Sequence, residues 1–238
     1  MPEALPRLAL LAGGLATRLG PLARSVPKSL VPVCGEPFLA HQLRLLVEQG
    51  ISEIVICTGH MGEQIEGFAR DGSQFGCRIL YSHDGNSPLG TGGALRRALP
   101  LLGSPFFVMY GDSYLTADLA AILKTFRNSG MPALMTVFRN DGNWDASNVE
   151  MREERLASYS KKARSPFMCH IDYGLSILTP EILQGWPDGA KFDLADVMEH
   201  LASEGRMAAH EVRERFYEIG SLAGLRMTED YLAEAVAR

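Results

Sequence analysis

With 238 residues, 46% of them hydrophobic, the chain can bury the core of one large domain or two small ones. Its formal net charge of -5 argues against a general nucleic-acid partner, which needs a basic face. No apolar run approaches the ~20 residues that span a bilayer, and Met1-Pro2-Glu3-Ala4-Leu5-Pro6-Arg7 has no basic segment ahead of an apolar one, so no membrane partner and no signal peptide are expected and the cytoplasm is the expected location.

In chain order, Leu8 to Ala12 is a continuous apolar run that reads as a buried strand, followed by Gly13-Gly14 where a strand would end. Glycine there permits positive φ and a close backbone approach by a ligand. Phe38 to Gln49, with Leu39, Leu43 and Leu46 on one face, predicts a helix ended by Gly50. Ile51 to Thr58 predicts a strand, Gly62 to Arg70 a helix, Cys77 to Ser82 a third strand, and Thr91 to Leu99 a helix opening on Gly90-Thr91-Gly92-Gly93. Phe106 to Tyr110 is a fourth strand running into Gly111-Asp112, and Leu119, Ile122, Leu123 and Phe126 mark the next helix. This alternation through about residue 127 predicts an α/β/α three-layer, Rossmann-like domain with a mostly parallel sheet. In such sheets ligands bind beyond the carboxyl ends of the strands, which would gather Gly13-Gly14, Gly59, Ser82-His83-Asp84 and Gly111-Asp112.

The second half is more mixed. Strands are expected at Ala133 to Phe138, His170 to Leu178 and Phe216 to Ile219, and a hairpin at Asn148 to Tyr159. A helix capped by Asp193 runs to about Glu204, and Leu222 to Ala237 forms a closing helix. The chain reads as one unit, 1–238, with a nucleotide-binding half of about 1–127 and a sugar-binding half of about 128–238. Cys34, Cys57, Cys77 and Cys169 are scattered, without a C-x-x-C pair, and are expected as reduced core or near-core thiols rather than zinc ligands.

The stretch Leu11-Ala12-Gly13-Gly14 leads to Thr17, Arg18 and Lys28, residue types that bind phosphate. It is neither a P-loop, G-x-x-x-x-G-K-[ST], nor a dinucleotide fingerprint, G-x-G-x-x-G. In an acidic chain, Arg18, Arg24 and Lys28 within eleven residues form a local basic cluster suited to a triphosphate. A divalent cation would supply further positive charge. Asp112, at a strand's carboxyl end facing that loop, suits Mg²⁺ held by one or two protein carboxylates plus phosphates.

The G-G-x-x-T-R pattern, followed eight residues later by Pro27-Lys28, resembles the signature of the sugar-phosphate nucleotidyltransferases (NDP-sugar pyrophosphorylases). Ala16 stands where many members have Gly, so the loop here should not need a left-handed residue at that place. The resemblance covers Leu8 to the final helix and implies that fold, a metal on Asp112, and a second metal ligand in Phe216-Tyr217-Glu218-Ile219-Gly220-Ser221. Glu218 departs from the family's Asp by one methylene. In Tyr159-Ser160-Lys161-Lys162 the family carries Glu-Lys; Ser160 replaces the Glu, and Lys161 is favoured over Lys162 for the sugar phosphate. Leu89-Gly90-Thr91-Gly92-Gly93-Ala94 is similar to the family's nucleotide segment, with small residues at a helix start. Asp84 reads first as a solvent-facing residue, although its carboxylate could accept from guanine N1–H and N2–H₂. Asn148, Asp172 and Gly174 occupy places where relatives bind the sugar, and His170 reads as structural.

The implied reaction joins an NTP, GTP or UTP, to a sugar 1-phosphate and releases pyrophosphate. A phosphate nucleophile is already ionised near pH 7, so no general base is needed. Arg18 and Lys28 would hold the leaving pyrophosphate, and Lys161 the incoming phosphate. The short relatives include heptose and mannose 1-phosphate guanylyltransferases, the favoured side, and N-acetylmuramate 1-phosphate uridylyltransferases. A homo-oligomer is compatible with the sequence. A catalytically silent, nucleotide-sugar-binding regulatory paralogue is the alternative; a Rossmann oxidoreductase lacks its fingerprint and an acidic residue after the second strand.

Overall fold

A computed structural model of the protein describes residues 4–14, 19, 25–85, 87–140, 142, 144, 146–152 and 155–236. Ala16, Thr17, Arg18 and Arg24 lie outside the described residues. The elements in order are β1 (Leu8–Leu11), a hairpin of β2 (Pro32–Val33) and β3 (Glu36–Pro37), α1 (Phe38–Glu48), β4 (Glu53–Thr58), α2 (Gly62–Ala69), β5 (Arg78–His83), α3 (Gly90–Ala98), β6 (Phe106–Tyr110), β7 (Ser113–Leu115) and α4 (Leu119–Ser129). Then come β8 (Ala133–Arg139), β9 (Val149–Arg152), β10 (Arg155–Tyr159), β11 (His170–Leu178), α5 (Glu181–Gln184), α6 (Leu194–Ser203), β12 (Met207–Val212), β13 (Phe216–Glu218) and α7 (Leu222–Val236).

Local chemistry sets the helix ends. Asp118 accepts from the amides of Ala120 and Ala121 at the start of α4, and Gly130, at φ 64°, ends it in the left-handed conformation. Asp193 accepts from Ala195 N at 2.9 Å and starts α6 as expected.

Nine strands form one sheet in the order β5-β4-β1-β6-β11-β8-β12-β10-β9. Its first four strands are parallel, with Leu8 opposite Ile54 and Phe107. The expectation of a mostly parallel sheet is corrected here: β11 runs antiparallel to both β6 and β8, and β10 is antiparallel to β12 and β9, so the sheet is mixed. Apolar runs such as HIDYGLSIL show burial on both faces but carry no strand direction, and hairpin connections in the second half reverse it.

Side chains alternate across the sheet. Leu8 and Leu10 pack with α1, α2 and α4 on one face; Ala9 and Leu11 pack with α3, α5 and α6 on the other. A third cluster, Leu19, Val31, Val33, Phe38, Ile219, Leu225 and Leu232, ties α7 to the β2–β3 hairpin. All four cysteines are free; Cys57 and Cys77 are buried, whereas Cys34 and Cys169 are exposed, against the expectation that all would sit in or near the core. Cys34 stands in a turn and Cys169 in irregular chain just before β11, where no apolar periodicity directs them inward. Among the described residues, no helix is long and apolar enough to cross a membrane.

Candidate active site

The carboxyl ends of the four parallel strands meet at one edge. Gly13 lies against Gly59, and Gly111 against Leu11 and Ala12, each so close that a Cβ would crowd the neighbouring backbone. Gly14 has nothing within 4 Å of where a Cβ would stand, and so faces open space. A cavity of about 330 Å³ opens here, lined by Leu11, Ala12, Gly13, Gly14, Lys28, Asp84, Gly90, Thr91 and Asp112 among others. Ser29 and His60, which carry no pattern in the sequence, also line it, and the Ser29 hydroxyl is buried without a partner.

A second cavity, of about 510 Å³, adjoins the first and is lined by Asn148, Lys161, Asp172, Gly174, Arg215 and Glu218 among others. Tyr110 and Asp112 belong to both walls. The meeting of the two cavities follows from strand direction: β11 is antiparallel to β6, so its beginning, His170 to Gly174, lies at the edge where β6 ends.

Asp112 sits in the turn between β6 and β7. Lys28, at the start of a single 3-10 turn after Pro27, donates to the Asp112 carboxylate. Glu218 reaches the same place because β13 pairs with β7, placing Glu218 opposite Ser113, and Ile219 N donates to Asp112 O at 2.9 Å. Two acids 106 positions apart are thereby neighbours across a ladder. The longer Glu side chain folds back on its own chain. Gly220 N donates to its Oε2 at 2.6 Å, and the Ser221 hydroxyl donates to Oε1 at 3.1 Å. Gly220 and Gly224 leave the space it fills; a Cβ at either would collide with the carboxylate. Among the described residues there is no group of three or more His, Cys, Asp or Glu that could hold a metal ion. Asp112 and Glu218 are two carboxylates, a number that would suit Mg²⁺ with phosphates and waters completing its shell.

In the second cavity, the Ser160 hydroxyl accepts from Lys162 N and Ala163 N, forming a tight turn after β10. That turn puts Lys161 in the cavity wall, its Nζ 3.8 Å from Asp193, and sends Lys162 outward with its side chain 87% exposed. Asn148 Oδ1 accepts from Asp172 N, and Asp172 Oδ1 accepts from Gly174 N at 2.9 Å. Gly174 takes φ 95° at a register shift in β11, a conformation that favours glycine. Burial pushes the Asp172 carboxyl up from its ordinary range, against the opposing Gly174 amide, Lys161 and Tyr159. The Tyr110 phenol is likewise pushed up, first by burial and then by Asp172, Asp193 and Asp112 around it.

Two sequence readings change in detail. Asp84 is 8% exposed rather than solvent-facing: it accepts from Leu89 N at 3.0 Å, and burial pushes its carboxyl up. A lone Asp after a strand gives no sign of the turn that folds back over it. The glycines that open α3 serve packing as well as the cavity. Gly90 and Thr91 line the first cavity, and Gly90, Gly92 and Gly93 all pack on protein, where a Cβ would collide with Phe192 O, the Phe192 ring and Ala190 O respectively. The Thr91 hydroxyl donates to Asp193 at 2.8 Å and accepts from Leu194 N at 2.8 Å, fastening α3 to the start of α6.

Sequence reasoning missed Gln42. It is fully buried in α1, and its Nε2 donates to Tyr110 O at 3.2 Å and Ser113 O at 2.7 Å, spanning the turn that carries Asp112. The available signal was a polar residue beside Leu39, Leu43 and Leu46 on an otherwise apolar face.

A family model described as Nucleotidyl transferase matches residues 9–145, more than half of the chain. The chain belongs to the nucleotidyl transferase family. This nucleotidyl transferase is 29% identical over 225 residues to the N-acetylmuramate alpha-1-phosphate uridylyltransferase of Neisseria meningitidis serogroup B, covering 91% of this chain and 94% of that one. It is 30% identical over 220 residues to mannose-1-phosphate guanyltransferase beta-B of Xenopus laevis, covering 89% of this chain and 60% of that one. The chain spans 55–60% of the length of several of the curated relatives it matches. HddC from Yersinia pseudotuberculosis, solved in complex with GMP-PN, shares the fold with a TM-score of 0.79 at 24% identity, over 96% of this chain and 100% of that one.

Proposed function

We propose that the chain is one nucleotidyltransferase domain that transfers a nucleotidyl group from GTP or UTP to a sugar 1-phosphate and releases pyrophosphate. The observation that carries this reading is the junction of two cavities at Asp112, with Lys28 and Glu218 beside it. The first cavity is glycine-walled and suits a nucleotide, which its relatives' names also imply. The second has the polar wall that a sugar needs, Asn148, Asp172 and the Gly174 backbone, with Lys161 at hand for the sugar phosphate.

The incoming phosphate oxygen attacks the α-phosphorus in line with the departing pyrophosphate. That nucleophile is ionised near neutral pH, so the protein's task is to hold two polyanions together and offset their repulsion. Lys28 faces the nucleotide phosphates from the loop side and Lys161 the sugar phosphate from the other. Arg18, outside the described residues, is assigned to the pyrophosphate by its place in the motif. Asp112 and Glu218 would hold Mg²⁺. When bound, it neutralises charge on the phosphates between the two cavities. The cytoplasm is the proposed location, and a homo-oligomer is compatible with this reading.

The test is a matrix of four NTPs against a panel of sugar 1-phosphates with Mg²⁺, read as pyrophosphate release. At least one pair should turn over, with GTP or UTP as donor. Nucleotide binding without release for any pair would refute the enzymatic reading and restore the silent paralogue.

A further inference from the structure

Arg215 differs from the described arginines that the fold pairs, and it does so inside a cavity. Arg7, Arg44, Arg152 and Arg206 each meet a glutamate, and Arg96 and Arg97 meet backbone carbonyls. Arg215 forms no ion pair among the described residues. Its Cζ lies 4.0 Å from the centroid of the Trp144 ring and 5.1 Å from that of Tyr217. Tyr217 is itself fixed by stacking on Tyr231, with ring centroids 4.1 Å apart. Nε is buried with no acceptor, and Nη2 reaches only the Met227 thioether, a weak acceptor, at 3.0 Å.

Stacking occupies the faces of a guanidinium and leaves its donors, which lie in the plane, to meet a ligand. The side chain lines the second cavity, and its position there is fixed by the aromatic rings before any ligand arrives. The carboxylates of that cavity are already engaged. Asp112 takes Lys28, Glu218 takes the Gly220 amide and the Ser221 hydroxyl, and Asp172 takes the Gly174 amide. Arg215 is left as a positive charge without a counter-ion among the described residues. Trp144 and Met227, which flank it, are 46% and 40% exposed, an apolar rim that a bound molecule would cover.

We infer that Arg215 makes the second cavity selective for a sugar 1-phosphate that carries another anionic group, a carboxylate or a phosphate, on the sugar itself. This rests on the second cavity being the sugar site, as argued above. A planar fork meeting a carboxylate or phosphate through two hydrogen bonds gives selectivity that a lysine at the same place would not.

The experiment compares matched substrates: glucose 1-phosphate against glucuronic acid 1-phosphate and glucose 1,6-bisphosphate, and N-acetylglucosamine 1-phosphate against N-acetylmuramic acid 1-phosphate. These arms separate carboxylate from phosphate and two positions on the ring. Each is measured as kcat/KM with the best NTP, and as binding by calorimetry, which needs no turnover. The parent protein should prefer at least one acidic member over its neutral partner by about 10- to 100-fold, the scale of a charged hydrogen-bonded pair. Arg215→Met, which keeps apolar bulk between the rings, should collapse that ratio by a similar factor, and Arg215→Lys should recover only part of it. Equal rates and affinities for acidic and neutral members overturn the inference, as does an Arg215→Met variant that weakens both members equally. If no pair releases pyrophosphate, the enzymatic reading fails separately, and the calorimetric ratio alone decides whether Arg215 selects an acidic sugar phosphate.

Discussion

Replacing Gln42 with leucine should disable the site from a distance. Leucine keeps the volume and suits the apolar face of α1, but both hydrogen bonds to Tyr110 O and Ser113 O vanish. Each buried carbonyl left without a donor costs about 1–3 kcal/mol, while removal of the Gln42 Oε1, itself buried and unpartnered, returns part of that. The net expectation is roughly 2–4 kcal/mol, or about 4–16 °C in melting temperature for a chain of this size. The same change frees the turn bearing Asp112, and a misplacement of about 1 Å there can lower kcat up to about 100-fold. Calorimetric melting, kcat, KM and a Mg²⁺ titration on the variant separate the two effects. The expected pattern is a lower kcat and a higher Mg²⁺ requirement at a temperature where the protein is still fully folded. A variant that melts early yet retains kcat and Mg²⁺ dependence would show that the clamp stabilises the fold only, and would refute the positioning argument.

Lys28→Ala and Asp112→Asn should each lower kcat by at least about 100-fold, the scale expected when one charged group is removed from beside the reacting phosphates, with little change in circular dichroism; near-parental activity in Asp112→Asn would overturn the metal assignment. Gly92→Ala should destabilise by about 1–3 kcal/mol through the Phe192 collision, whereas Gly14→Ala, facing open space, should leave the melting temperature alone and raise KM for the nucleotide. Equal melting shifts in the two would contradict that division. Asp172 supplies a pH signature. An unfolded Asp ionises near ~3.9, but burial keeps the native carboxyl protonated to higher pH, so the native state binds more protons and loses stability as pH rises through that window. Asp172→Asn can still accept from Gly174 N and does not titrate. Its melting advantage over the parent should therefore grow with pH from about 4 up to the native value and then level off; a difference independent of pH would refute the account.

The parallel half was legible because its signals are local. An apolar run such as Leu8–Leu11 followed by glycines marks both a buried strand and the edge where ligands collect. The direction of β11 was not legible, since period and hydrophobicity are the same either way along a strand. Strand β12, Met207–Val212, escaped because Ala208 and Ala209 lack the branched side chains that mark strands. The site divided along the same line. Lys28, Asp112 and Glu218 stand in short motifs and could be singled out before their surroundings were known. Gln42 and Arg215 act through partners far away in the chain, a carbonyl pair across α1 and an indole across the cavity, and single residues without a motif give no such warning. Asp84 stood at the expected edge, but its burial depends on a turn closing at Leu89, which spacing alone does not reveal.

The two cavities have separate construction. The walls of the first come largely from the parallel strands and their glycine turns; those of the second come from β11, the segments flanking the β9–β10 hairpin, the ribbon of β7 with β13, and α7. Among the described residues, only Tyr110 and Asp112 line both. On the proposed reading, Trp144, Arg215 and the Lys161 turn can change with the acceptor while the donor cavity and the residues between the two are left as they are. On that reading, acceptor range is a matter of refitting one wall, with the chemistry left to the two residues that the cavities share.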